Sequence, residues 1–132
     1  MRHRIAVIDR DDAVCELLRR WLIDAGHAVE TRPSPACLGG VGLVIADVAS
    51  PRDARPVLGE LLGPDGGAAV LLLSARFRKG QEGSITLADE LGVNGVLPKP
   101  FTKRQLMHAV SQAMRRAETP QPRTTSTAAL KM

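Results

Sequence analysis

The segment Leu43-Val44-Ile45-Ala46-Asp47-Val48-Ala49-Ser50-Pro51 sets four apolar residues directly before a single aspartate, with a proline four positions beyond it. An apolar run without polar alternation suits a strand covered on both faces, as in a parallel sheet. A carboxylate is rarely fully buried, so Asp47 is expected where the strand ends and a loop begins. In open α/β sheets that carboxyl edge is where ligands bind. Asp47 is therefore the first candidate for chemistry.

Upstream, Arg4-Ile5-Ala6-Val7-Ile8 reads as a buried strand that runs into the acidic loop Asp9-Arg10-Asp11-Asp12. Asp11 or Asp12 can cap a helix from Ala13 to about Ala25, with Val14, Leu17, Leu18, Trp21, Leu22 and Ala25 as its inward stripe and Gly26 as its stop. Ala28–Thr31 makes a short second strand, and Val41–Ala46 is the third. Between them, Pro33, Pro35, Gly39 and Gly40 leave room for one helical turn near Ala36–Leu38.

Downstream, a short helix is expected from Asp53, carrying Val57, Leu58, Leu61 and Leu62 inward and ending at Gly63-Pro64. Ala68–Leu73 is a fourth buried strand that ends at Ser74-Ala75. A fourth helix through Ile85, Ala88 and Leu91 stops at Gly92, and Gly95-Val96-Leu97 is a fifth strand that ends at Pro98-Lys99-Pro100-Phe101. Thr102 and Gln105 fit a capping box that opens a last helix with Leu106, Met107, Val110, Ala113 and Met114 inward. From Thr119 the chain turns to Pro, Thr and Ser without apolar periodicity, so 119–132 is expected to be a disordered tail behind one domain of residues 1–118. Five strands alternating with helices give an α/β fold, a doubly wound parallel sheet with helices on both faces.

The 132 residues suffice for one domain with a real core, built from Leu, Val, Ile and Ala because Trp21, Phe77 and Phe101 are the only aromatics. The net charge of +4 is scattered over small clusters at Arg2–Arg4, Arg76–Lys79 and Arg115–Arg116. Such clusters, without aromatic or Gly-rich company, read as solvated surface and not as a nucleic-acid interface. Cys15 and Cys37 fit no metal spacing and are expected to be reduced thiols. No apolar run can span a bilayer and no signal peptide opens the chain, so a soluble cytoplasmic protein without membrane insertion is expected.

The strands ending at Asp9, Asp47, Ser74 and Lys99 bring four polar groups to one edge. Two carboxylates can hold a hard cation such as Mg²⁺, which commonly keeps waters and takes one or two carboxylates. An aspartate can also act as a nucleophile and become an aspartyl phosphate. A hydroxyl and an ammonium nearby, Ser74 and Lys99, would then stabilise the phosphoryl oxygens.

With these residues in this order, residues 4 to 117 resemble a response-regulator receiver domain. The most specific motif is Leu97-Pro98-Lys99-Pro100-Phe101, followed by Asp47 with Pro51 and by Ser74-Ala75 after an apolar strand. The resemblance implies a CheY-like, flavodoxin-like sheet in the order 2-1-3-4-5. It implies a phosphoacceptor signalling domain of a bacterial two-component phosphorelay, not an enzyme beyond self-catalysed phosphotransfer and dephosphorylation. Asp47 would take the phosphoryl group from a histidine kinase or histidine phosphotransfer protein, and Lys99 and Ser74 would contact it. Mg²⁺ would be held by Asp9, Asp47 and the backbone carbonyl of Ala49, with Asp11 as a weaker candidate. The Lys99–Pro100 peptide would be cis. Output would pass to a partner through the face of the fourth helix and fifth strand.

Three features depart from the family pattern. Arg10 stands where a second acid is usual, and an arginine cannot ligate a cation. It could instead pair with Asp9 or Asp47 and leave the pocket without metal. Val96 stands where the fifth strand usually carries an aromatic switch, and the second and third helices are short. These departures keep an alternative open, a pseudo-receiver that acts as a protein-interaction module without phosphorylation.

Overall fold

The computed structural model describes residues 3–31, 41–48, 68–76, 88 and 91–118. Five parallel strands, β1 (Arg4–Ile8), β2 (Ala28–Thr31), β3 (Leu43–Asp47), β4 (Ala69–Ser74) and β5 (Gly95–Pro98), form one sheet in the order β2-β1-β3-β4-β5. Two helices are described, α1 (Asp12–Asp24) and α2 (Lys103–Glu118). This is the doubly wound topology the sequence leads one to expect.

The period of two along each strand divides the apolar residues between the faces. Ile5, Val7, Leu43, Ile45, Leu71, Leu73 and Leu97 point to one side, where they meet Cys15, Leu18 and Leu22 of α1 and Leu106, Ala109, Val110 and Ala113 of α2. Ala6, Val44, Ala46, Val70, Leu72 and Val96 point to the other side, with Ala88 and Val93 packed over them. Covering both faces explains why β3 and β4 are almost continuous apolar runs, since neither face meets water.

Each helix begins on a side-chain cap. The Asp11 carboxylate accepts from the N–H groups of Ala13 (2.9 Å) and Val14 (3.3 Å). At α2 the capping box is complete: Thr102 Oγ1 accepts from the Gln105 N–H at 3.1 Å, while Gln105 Oε1 accepts from the Thr102 N–H at 2.9 Å. Gly26 follows α1 with φ of 97°, and Gly92 follows the helical residues Ala88 and Leu91 with φ of 74°. A side chain at either place would be strained, so glycine fixes both helix ends.

The inward stripe of α1 differs from the expected one. Cys15, Leu18 and Leu22 are buried and Val14 and Trp21 partly so, whereas Leu17 is 41% exposed and Ala25 lies at the surface. At 100° per residue, Leu17 sits roughly 130° from the centre of the buried set, too far round to reach the sheet. Trp21 packs edge-on against Phe101, with ring centroids 6.4 Å apart, and so ties α1 to the start of α2 as a packing residue. Strand β3 is shifted by one or two residues from the expected Val41–Ala46: Val41 is buried ahead of it, and Asp47 is its last residue. The expected turn near 36–38, the helix from Asp53, Cys37, Ile85 and the tail from 119 lie outside the described residues.

Candidate functional site

Register brings the polar strand ends together. Ile8 pairs with Ala46, so Asp9 follows β1 beside Asp47 at the end of β3. Asp47 pairs with Leu73 and Ser74 with Pro98, which sets Ser74 and Lys99 next along the same edge. Beyond the strands the ladder continues: the Val48 N–H donates to the Leu73 carbonyl at 2.9 Å, and the Lys99 N–H to the Ser74 carbonyl at 3.0 Å. The Lys99–Pro100 peptide is cis, as the resemblance implies.

Lys99 joins the two acids. Its Nζ donates to Asp9 Oδ2 and to Asp47 Oδ1, each at 2.8 Å. The Asp9 side chain is 1% exposed and that of Asp47 14%, so Asp9 is sealed while Asp47 keeps an opening to solvent. A carboxylate this deep needs a partner for each oxygen. Asp9 Oδ1 accepts from the Asp11 N–H at 2.9 Å, and Oδ2 accepts from Lys99. Burial of the Lys99 ammonium, the largest single influence on it, works against its charge. The hydrogen bonds to Asp47 and Asp9 and the charges of both carboxylates together outweigh burial, so its pKa is raised.

Ser74 is fully buried, and its Oγ accepts from the Arg76 N–H at 3.0 Å, which leaves the hydroxyl proton to donate elsewhere. Asp11 is spent as the cap of α1, with Oδ1 turned to the helix N–H groups, while its own N–H holds Asp9. Arg10 is exposed on the loop between them. The Cys15 thiol donates to the Asp9 carbonyl at 3.3 Å and buttresses the loop from the first turn of α1. The sequence carried no signal for this role, because Cys15 matches no spacing and falls beside the expected apolar stripe. Val96 is buried against the Ala88 side of the sheet. Ala49 lies outside the described residues.

The chemistry of the donor set suits a hard cation: two carboxylates already converge on one positive charge. Among the described residues no group of three or more His, Cys, Asp or Glu side chains could hold a metal, so any ion there would rest on this pair, on backbone oxygen and on water.

No protein-family model matches the sequence, and no curated protein does. Solved structures do match. A CheY-like response regulator receiver domain protein from Methanospirillum hungatei JF-1 superimposes with a TM-score of 0.69 at 16% identity, over 92% of this chain and 100% of that one. A response regulator receiver domain protein from Clostridium thermocellum gives 0.66 at 23% identity, over 90% and 99%. The chemotaxis protein CheY4 of Vibrio cholerae gives 0.62 at 18% identity, over 86% and 99%. The fold is that of a receiver domain. Within the receiver fold, the edge carrying Asp9, Asp47, Ser74 and Lys99 is the carboxyl end of a parallel sheet, beside the reversal of strand order at β1 and β3 where such sheets bind ligands. No helix among the described residues is long and apolar enough to cross a membrane.

Proposed function

We propose that this chain is a receiver of a bacterial, cytoplasmic two-component phosphorelay, and that Asp47 is its phosphoacceptor. The observation that carries this reading is the pairing of a solvent-reachable Asp47 with a deeply buried Asp9 through one lysine. An Asp47 oxygen would attack the phosphorus of a phosphohistidine on a histidine kinase or histidine phosphotransfer protein. The P–N bond breaks as the O–P bond forms, and the leaving imidazole keeps the electron pair and takes up a proton. Lys99 would then turn from the Asp47 carboxylate to the phosphoryl oxygens, with Asp9 as its remaining anchor, and the Ser74 hydroxyl would donate to the same group.

Asp9 and Asp47 would hold Mg²⁺, joined by the carbonyl of Ala49, while the Asp11 carboxylate stays on the α1 cap and supports the site only through its backbone N–H to Asp9. When bound, the ion would supply neutralising charge for the transferring phosphoryl group. Output would pass to a partner protein through the face formed by β5 and the helix containing Ala88 and Leu91. Beryllofluoride with Mg²⁺ tests this reading. Saturable amide shifts at Asp47, Ser74 and Lys99, absent in Asp47→Asn, are the expected outcome; an unchanged spectrum at high concentration refutes phosphoacceptance.

A second reading, a phosphorylation-independent interaction module, is favoured by the lysine already bridging both acids and by Arg10 in place of a second acid. It expects a partner to bind wild type and Asp47→Ala equally, and a large loss of binding in Asp47→Ala would count against it.

A further inference from the structure

The amino edge of the sheet, opposite the Asp9–Asp47–Lys99 edge, carries a contact that phosphoacceptance does not use. His3 immediately precedes β1 and His27 immediately precedes β2, so parallel pairing brings the two imidazoles together there. Their rings stack, with centroids 5.6 Å apart and planes 21° from parallel. The backbone N–H of His3 donates to His27 Nδ1 at 3.2 Å. A ring nitrogen that accepts carries no proton, so the proton of His27 sits on Nε2 and the ring is neutral. A main-chain N–H held in this way stays held only while the ring remains neutral.

The same two residues open the pairing of β1 with β2. The Ala28 N–H donates to the His3 carbonyl at 2.9 Å. Strand β2 is the outermost of the five, four residues long, with none of them fully buried, and β1 is its neighbour in the sheet. Protonation of His27 Nδ1 turns the acceptor into a second donor pointing at the His3 N–H. If both rings were charged, like charges would lie 5.6 Å apart. The surroundings do not favour the cation. Arg115 of α2, which already has a partner, lines the space beside the rings with the uncharged Ala25, Val110, Ser111 and Met114. Asp24, the last residue of α1, is exposed. Arg4 and Glu30 pair with each other in register with Ala6, on the other face of the sheet. Burial first, then the charge of His3 and then that of the amino terminus, lower the His27 pKa.

We propose that His3 and His27 form a proton-operated latch, which holds the start of β2 against β1 while His27 is neutral and releases it on acidification. The latch is separate from the Asp9–Asp47–Lys99 edge and stands whether or not Asp47 is phosphorylated. Its sign follows from proton binding. A fold that keeps His27 neutral binds fewer protons than the unfolded chain, so the stabilisation is complete above the ordinary histidine value of about 6.5 and is lost as pH falls through the lower, folded value.

Imidazole ¹⁵N spectra and amide hydrogen exchange of the full chain, followed from about pH 8 to about pH 4, test this. At the upper end His27 should show the Nε2–H tautomer. As His27 titrates, with a midpoint below about 6.5, exchange of the Ala28 amide, corrected for its intrinsic pH dependence, should rise at least about tenfold. The Gly42 amide, bonded to the Arg4 carbonyl on the β3 side of β1, should stay protected and so report that the sheet is intact. His27→Asn offers an acceptor that does not titrate and should abolish the step. His3→Gln keeps the backbone donor but removes the neighbouring charge, so the step should persist with its midpoint moved upward. A proton on His27 Nδ1 at the upper end, or a midpoint at or above about 6.5, overturns the proposal. So does Ala28 protection that is unchanged as His27 titrates, a simultaneous loss of Gly42 protection, or a step that survives in His27→Asn.

Discussion

Replacing Lys99 by methionine keeps the length and apolar stem of the side chain and removes only the ammonium. In the native pocket that ammonium sits 2.8 Å from an oxygen of each of two carboxylates, one 1% and the other 14% exposed. Breaking a buried ion pair from one side costs about 3–5 kcal/mol, because it strands the remaining charge. Here two charges of the same sign are stranded together. Lys99 itself is 19% exposed, so water can partly take its place, and the expected loss is about 3 kcal/mol. That is a large fraction of the stability of about 5–15 kcal/mol usual for a domain. Urea unfolding at neutral pH measures it as a lower midpoint with an unchanged slope. Mg²⁺ should rescue the variant, since a cation that binds only the folded chain stabilises it by about 2.7 kcal/mol at a hundred times its Kd. A loss below about 0.5 kcal/mol, within the range of ordinary surface substitutions, and insensitive to Mg²⁺, would refute the view that Lys99 is the counter-ion of this pocket.

Lys99 also sets an alkaline limit: a lysine whose folded pKa is raised gives its full stabilisation below its unfolded value of about 10.4 and loses it as pH climbs through the folded one. Wild type should therefore lose stability above about pH 10 more steeply than Lys99→Met, as thermal melts across that range would reveal. Arg10→Asp removes a cation and adds a carboxylate next to Asp9, and should tighten Mg²⁺ binding by at least about tenfold in an amide-shift titration. Thr102→Ala breaks one arm of the α2 capping box and should cost about 1 kcal/mol in urea. Asp11→Ala should cost a similar ~1 kcal/mol from α1, yet leave the Asp9 contact of its backbone N–H, so Mg²⁺ affinity should change far less than in Asp9→Ala.

The sheet was legible because the chain repeats one statement five times, a short apolar run and then a polar residue or turn. The strand-end residues could be assigned to one edge because all the strands are parallel. Caps were legible for the same local reason, since Thr102 and Gln105 need only each other and the intervening backbone. The rotation of α1 was not. Leu17, Leu18, Trp21, Leu22 and Ile23 spread apolar surface around more than half the helix, and such a wide stripe leaves the facing direction to be decided by what lies opposite. Opposite lies the β1 edge, where the Asp9 carbonyl takes the Cys15 thiol and turns Leu17 outward.

The pairing within the site was equally hidden. Arg10, adjacent to Asp9 in sequence, was the cation read as a partner for the acids, whereas Lys99 was read only as a contact of the phosphoryl group. Lys99 stands on β5, with β4 between it and β3, so it must reach across the end of β4 to touch Asp47 and Asp9. Adjacent strands lie about 4.8 Å apart, so only a long side chain passing a small neighbour can make that span. Ser74 and Ala75 supply the small neighbours. Charge then separates the two functional readings. Two carboxylates and one ammonium leave the pocket at about −1, a poor receiver for an anionic phosphoryl group and a good one for a divalent cation. If the cation enters, the balance turns positive and phosphoryl transfer to Asp47 becomes favourable. If Arg10 supplies positive charge at the rim instead, the acids are neutralised without metal and the pocket serves as a fixed structural brace. The Arg10→Asp titration therefore distinguishes a pocket that takes metal in its native form from one whose metal site is restored only by removing the arginine.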